Sequence, residues 1–167
     1  MSYKATIFGL LLLLLLPGLL WAQSRSEELR VRFAGETDPM RKAKMIPQLG
    51  NAEFREIDAA FAAGNSREAL VVLREYTQQV RICEQDLDAK GINAEKHPAG
   101  FKQLQISMRQ SLADLDGLLP SLPSDEQTPF VEVRKNLERL NRHLIRELFP
   151  GQPGNEPEPA EQAPEEK

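Results

Sequence analysis

The sequence predicts an all-α fold, and three observations predict it. Apolar residues recur at helical spacing along four separate stretches. Each stretch is bounded by Pro, Gly, Asn, Asp or Ser, the residues that start and stop helices. No alternating apolar run long enough for a buried strand competes with them. Of 167 residues, 41% are hydrophobic and 28% charged, a balance that supports a buried core and excludes wholesale disorder. Only 6% are aromatic, so aliphatic side chains must do most of the packing. The length suits one domain.

Taken in order, residues 1–22 read as a signal peptide. Lys4 supplies the positive start, Ala5 to Leu16 an apolar run, and Pro17-Gly18 a helix break before a processing site after Ala22. The expected location is therefore periplasmic or secreted, with a retained membrane anchor as the minority reading; only in that case does the chain touch a membrane. Residues 23–38 read as a polar arm in which Leu29, Val31 and Phe33 alternate as in a short extended piece. The helical domain is expected over 39–150. Asp38-Pro39 has the form of an N-cap followed by Pro at the first helical position. It opens a short helix, Met40 to Ile46, that Pro47 ends or kinks, and Gly50-Asn51 punctuates the chain.

Phe54, Ile57, Ala60 and Phe61 then give a helix that Gly64 stops in the manner of a left-handed cap. With Ser66 as cap, the next helix carries a seam of Ala69, Leu73, Tyr76, Val80, Cys83 and Leu87, spaced alternately by four and three. Gly91 and Asn93 end it. His97-Pro98 leads into a third stripe of Phe101, Leu104, Met108, Leu112, Leu115 and Leu119. Pro120, Pro123 and Ser124 form a turn. Thr128-Pro129 opens the fourth helix, with Phe130, Val133, Leu137, Leu140, Leu144 and Leu148 on one face. Residues 151–167 are rich in Pro and Glu and are expected to stay disordered. The stripes can offset chain entropy only by packing together, which gives a four-helix core of two helical hairpins.

The segment AGNSREALVVLREY, Ala63 to Tyr76, resembles the turn and second helix of a tetratricopeptide-type repeat: Gly64-Asn65 stands at the turn, and Glu68-Ala69-Leu70 opens the helix with a small residue where two helices approach. Tyr76 and Arg81 depart from the family pattern, and no copy recurs at a period of about 34 residues. The first hairpin is thus tetratricopeptide-like. As a whole the chain also resembles a bacterial group of small exported helical proteins, through DPMRKAKMIPQLG before the hairpin and EKHPAGFKQLQ before the third helix. That second resemblance implies no activity. The first implies a surface for peptides or partner helices, by fold analogy.

Chemistry-bearing patterns are sparse. Asp86, Asp88 and Gly91 imitate the start of a calcium loop, but Lys90 and His97 stand where acidic ligands belong. The two histidines, His97 and His143, form no zinc or c-type haem motif. Met108 and His143 suit core filling and a seam flank better than a b-type haem pair, so no cofactor is expected. Cys83 has no partner for an internal disulfide, and its place in an apolar seam disfavours a thiolate. No nucleophile elbow is present.

Formal charge is −4, and the five glutamates and one lysine after residue 151 account for all of it. A near-neutral body exerts no net pull on phosphates, so nucleic acid is not an expected partner. Lys135, Arg139, Arg142 and Arg146 nevertheless form a basic stripe on the fourth helix, interleaved with Glu132 and Glu138 at pairing distance. A smaller cluster comprises Arg41, Lys42 and Lys44. The expected function is that of a non-enzymatic interaction module of the cell envelope. Tyr76, Lys135, Arg139, Arg142 and Arg146 are its expected contacts with an envelope protein or peptide. The heptad-like seam also permits a homo-oligomer. The alternatives are a small-ligand or cofactor carrier and an envelope chaperone-like protein.

Overall fold

A computed structural model describes residues 25–151, so the expected signal peptide and nearly all of the acidic tail lie outside the described residues. Within that span the chain forms five α-helices and one short 3-10 turn, with no strand among the described residues. The helices are α1 (25–35), α2 (Pro39–Ala62), α3 (Ser66–Ala89), α4 (Pro98–Leu118) and α5 (Ser124–Leu148). The 3-10 turn spans Leu119–Ser121.

The segment expected as an extended arm is helical instead. In α1, Ser26, Leu29 and Phe33 are buried on one face, while Val31, the middle member of the apparent alternation, is 63% exposed. Spacings of three and four decide the structure, because that helical face can join the common core and an extended strand here would have no ladder to join. Leu29 and Phe33 pack in the same apolar cluster as the other helices, so the packed body begins before Pro39.

Helix α2 starts as expected: Asp38 accepts a hydrogen bond from the Arg41 N–H at 2.8 Å, and Pro39 occupies the first turn. It then runs for 24 residues through both expected breaks, Pro47 and Gly50-Asn51. Pro47 forfeits one backbone bond to the turn before it. Gly50 is retained in the helix by a packing requirement: a Cβ there would lie 3.1 Å from the Tyr76 ring, so α2 and α3 approach closely at this point. Burial of Ile46, Leu49, Phe54 and Ile57 on both sides of the two breakers carries the helix across them.

Gly64 (φ 71°) and Gly91 (φ 62°) end α2 and α3 in the left-handed conformation, with Asn65 N–H donating to Ala60 O and Ile92 N–H to Leu87 O. The cap of α3 is Asn65, one residue before the expected Ser66. Its Oδ1 accepts from the Glu68 N–H, and its amide donates to the Glu68 carboxylate at 2.7 Å. All six seam residues of α3 are fully buried. In α4, Phe101, Leu104, Met108 and Leu115 are fully buried, with Leu112 packed at the margin beside Leu119 of the 3-10 turn, the last member of the expected stripe. Helix α5 begins at Ser124, earlier than the expected Thr128-Pro129 start, which leaves Pro129 inside it. Pro129 is the sixth residue of the helix and forfeits one backbone bond to the first turn, as Pro47 does in α2, while burial of Phe130 and Val133 holds the helix on its far side.

Packing closes a ring. Helix α2 lies against α3 and α4, and α5 lies against the same two helices. This bundle sets three polar clusters between helices.

Candidate functional site

The first cluster joins α1, α2 and α3. Arg30 of α1 reaches Glu53 of α2 at 2.8 Å and Glu56 at 3.0 Å, with Glu75 of α3 at 3.6 Å. Ser26 donates to Glu56, and Gln79 of α3 donates to Glu53 Oε1 at 3.2 Å. Glu53 is fully enclosed and its Oε2 has no hydrogen-bond partner. Burial pushes its carboxyl up to about 7, against the opposing pull of Arg30. Nearby, Lys42 donates to Asp86 at 2.6 Å and sits 5.4 Å from the centre of the Phe33 ring, tying α1, α2 and α3 a second time. These contacts dock the first helix.

The second cluster is a buried hydroxyl group of three. Tyr76 accepts from Ser111 Oγ at 2.8 Å, and its hydroxyl lies 3.4 Å from Ser107 Oγ. Its ring meets Phe54 edge-on at 5.6 Å. Tyr76 is therefore a core residue whose polar tip is satisfied internally. Its expected role as a partner contact is corrected: a fully buried ring offers no surface to a partner.

The third cluster opens to solvent between α3 and α5. Arg81, Glu84, Asn136, Arg139, Leu140 and His143 line a shallow recess of about 260 Å³. Glu84 forms its inner wall, 8% exposed, with Oε1 lacking a hydrogen-bond partner. Burial pushes this carboxyl up to about 7, opposed first by His143 and then by Arg81 and Arg146, while Asp88 reinforces the rise. His143 Nε2 stands 3.8 Å from Glu84 Oε1 and 3.6 Å from Asp88 Oδ2, with its side chain 37% exposed. It thus faces the carboxylates of α3, while Met108 is enclosed in the core. Asp86 and Asp88, the start of the apparent calcium loop, are helical residues engaged with Lys42 and His143. Among the described residues no group of three or more His, Cys, Asp or Glu side chains is arranged to hold a metal ion.

The basic stripe lies along the outer side of α5 beside this recess. Lys135 is 58% exposed and pairs with Glu132 at 3.2 Å; Arg142 is 50% exposed and lies 3.6 Å from Glu138. Arg139 is exposed and hydrogen-bonds to Asn136. Arg146 is half-buried. Intrahelical pairing therefore coexists with an accessible cationic surface. Arg134, which the stripe does not include, links α5 to Asp116 of α4 through two bonds of 2.6 and 3.2 Å. Cys83 is enclosed in the α3 seam, and burial raises its thiol to about 12.

Glu53 and Glu84 were not among the expected site residues, yet a signal for both stands in the sequence. Glu53 follows Leu49 by four and Glu84 follows Val80 by four, so each carboxylate occupies a position of an apolar stripe. A charged residue on a core-facing stripe needs a partner from another helix. No helix among the described residues is long and apolar enough to cross a membrane. The chain matches no family model, no curated protein and no solved structure.

Proposed function

We propose that the protein is an exported, non-enzymatic interaction module of the cell envelope, built on a four-helix core whose first hairpin is tetratricopeptide-like, and that it meets an envelope protein or peptide through the outer face of α5. One observation carries this reading. Lys135, Arg139 and Arg142 are exposed along one side of α5, at spacings of four and three, next to the recess lined by Arg81 and Asn136. The opposite side of the same helix is anchored in the core by Phe130, Val133, Leu137 and Leu144. A rigid helix that presents a cationic edge beside a concavity fits an acidic or amide-rich segment, with the charges steering encounter and the recess fixing register.

A photo-activated cross-linking residue placed at Arg139, and in a separate strain at the exposed Arg109 of α4, tests the reading in living cells. The expected result is one discrete envelope adduct from position 139, absent from position 109 and lost when Arg142→Glu is added. No adduct at 139, or the same set from both positions, overturns it. Export is read in the same cells: the expected periplasmic form begins at Gln23, and a chain confined to the cytoplasm with its N-terminus intact excludes an envelope role.

A further inference from the structure

We infer that the basic face of α5 is the docking site of the chain's own acidic segment, residues 152–167, which folds back along α5 and covers the stripe. Helix α5 ends at Leu148, and Phe149, Pro150 and Gly151 are exposed, so the segment leaves the body at the end of the helix that carries the stripe. Charge complementarity is direct. The segment holds Glu156, Glu158, Glu161, Glu165 and Glu166 against a single Lys167. Lys135, Arg139, Arg142 and Arg146 lie along α5, with Arg81 of α3 across the recess.

Reach and spacing agree with charge. Lys135 to Leu148 spans about 20 Å at the helical rise of roughly 1.5 Å per residue. A segment of this length extends to about 50 Å in the polyproline conformation that Pro153, Pro157, Pro159 and Pro164 favour. In that conformation Glu156 and Glu161 stand about 16 Å apart, close to the distance of about 17 Å between Lys135 and Arg146 along the helix. A polyproline segment also needs no backbone ladder from its host, so side-chain charge alone can hold it. Tethering raises the effective concentration to the millimolar range, which lets individually weak ion pairs populate the docked state.

The inference requires only the chain itself and stands whether or not an external partner uses the same face. If one does, it must compete with the segment, which makes its own binding surface acidic.

Paramagnetic relaxation in the chain as cells process it provides the test. A nitroxide is attached at Gln162→Cys, and an otherwise identical sample without the added cysteine reports any label taken up by Cys83. At low salt the amide signals of residues 135–146 are expected to weaken at least about twofold relative to those of residues 39–50, the half of α2 away from its Phe61–Phe130 contact with α5. That contrast is expected to vanish at about 0.5 M salt, where screening acts within a few ångströms. It is also expected to vanish in Arg139→Glu/Arg142→Glu, whose unchanged α2 and α4 signals verify the fold. Weakening that is absent, evenly spread over the surface, or indifferent to salt overturns the inference. A mixture of nitroxide-bearing and isotope-labelled chains separates the remaining outcome, since weakening of equal size there means that the segment docks on a second copy.

Discussion

Tyr76 shows how much a single ring determines. Its edge contact with Phe54, the hydroxyl bonds to Ser111 and Ser107, and the absent Cβ of Gly50 together fix how α2, α3 and α4 meet. Helix propensity alone argues for replacing Gly50, because alanine in a helix interior gains about 1 kcal/mol. Packing argues against it, since the new Cβ would meet one ring carbon at 3.1 Å and a second at 3.4 Å, and the ring is fully enclosed. Overpacking costs roughly 1–3 kcal/mol, so Gly50→Ala is expected to be net destabilising by about 1 kcal/mol. Gly100 supplies the contrast. A Cβ there approaches Met40 Sδ at 2.8 Å and Cε at 3.2 Å, but these atoms form the far end of a flexible side chain that can turn aside. Gly100→Ala is therefore expected to be neutral or stabilising, and the urea midpoint of Gly50→Ala, read by circular dichroism, should fall below both that of Gly100→Ala and that of the parent chain. Equal midpoints would remove the packing explanation for Gly50.

At the scale of the element, Pro47 tests whether α2 is held by its own backbone or by its neighbours. A proline inside a helix costs about 3 kcal/mol, through one lost backbone bond and a clash with the preceding turn. Helix α2 runs through it because Ile46, Leu49 and Phe54 are buried on both sides of it. Pro47→Ala is accordingly expected to raise the unfolding free energy by about 1–3 kcal/mol, measured by urea titration, with helix content unchanged. A fall would mean that the proline shapes a bend the packing requires. The same helix marks where sequence reasoning succeeded and where it did not. The α3 seam was legible because six apolar positions repeat a pattern that only a helix satisfies. The continuity of α2 was not, since local rules weigh Pro47 and Gly50 as breakers while the decisive contact comes from Tyr76, in another helix. Helix α1 was ambiguous at short range: Leu29, Val31 and Phe33 fit a strand, and Leu29 with Phe33 fits a helix. Arg30, through its bonds to Glu53 and Glu56, resolves the choice from more than twenty residues away. The basic stripe lay on one helix and could be read in full, whereas the recess beside it needs α3 and α5 side by side.

For the whole molecule, the two enclosed carboxyls make stability a function of pH with a definite sign. Glu53 locks α1 onto α2 and α3, and Glu84 lies between α3 and α5, so between them they touch four of the five helices. Both are raised to about 7 in the folded chain from an ordinary value of 4.5. Below the lower value both states hold the proton, and the favourable contribution is complete. Between it and about 7 the unfolded chain releases protons that the folded chain retains, so stability falls as pH rises; above about 7 the slope disappears. The usual paired carboxylate acts in the opposite sense. Asp116, held below its ordinary range by its bonds to Arg134, is such a group, but it is exposed, and its small contribution is constant through the neutral range and lost only in acid. Burial of Glu53 and Glu84 therefore dominates the neutral range, with up to roughly 3 kcal/mol available from each. The urea midpoint is expected to be higher near pH 5 than near pH 8, and the Glu53→Gln/Glu84→Gln pair should flatten the dependence. Glutamine keeps an oxygen for Arg30 and Gln79 to bond while removing the charge that burial penalises. A midpoint that rises from pH 5 to pH 8 would mean that the attraction of Arg30 and His143 outweighs desolvation, and that both clusters act as ordinary ion pairs between helices.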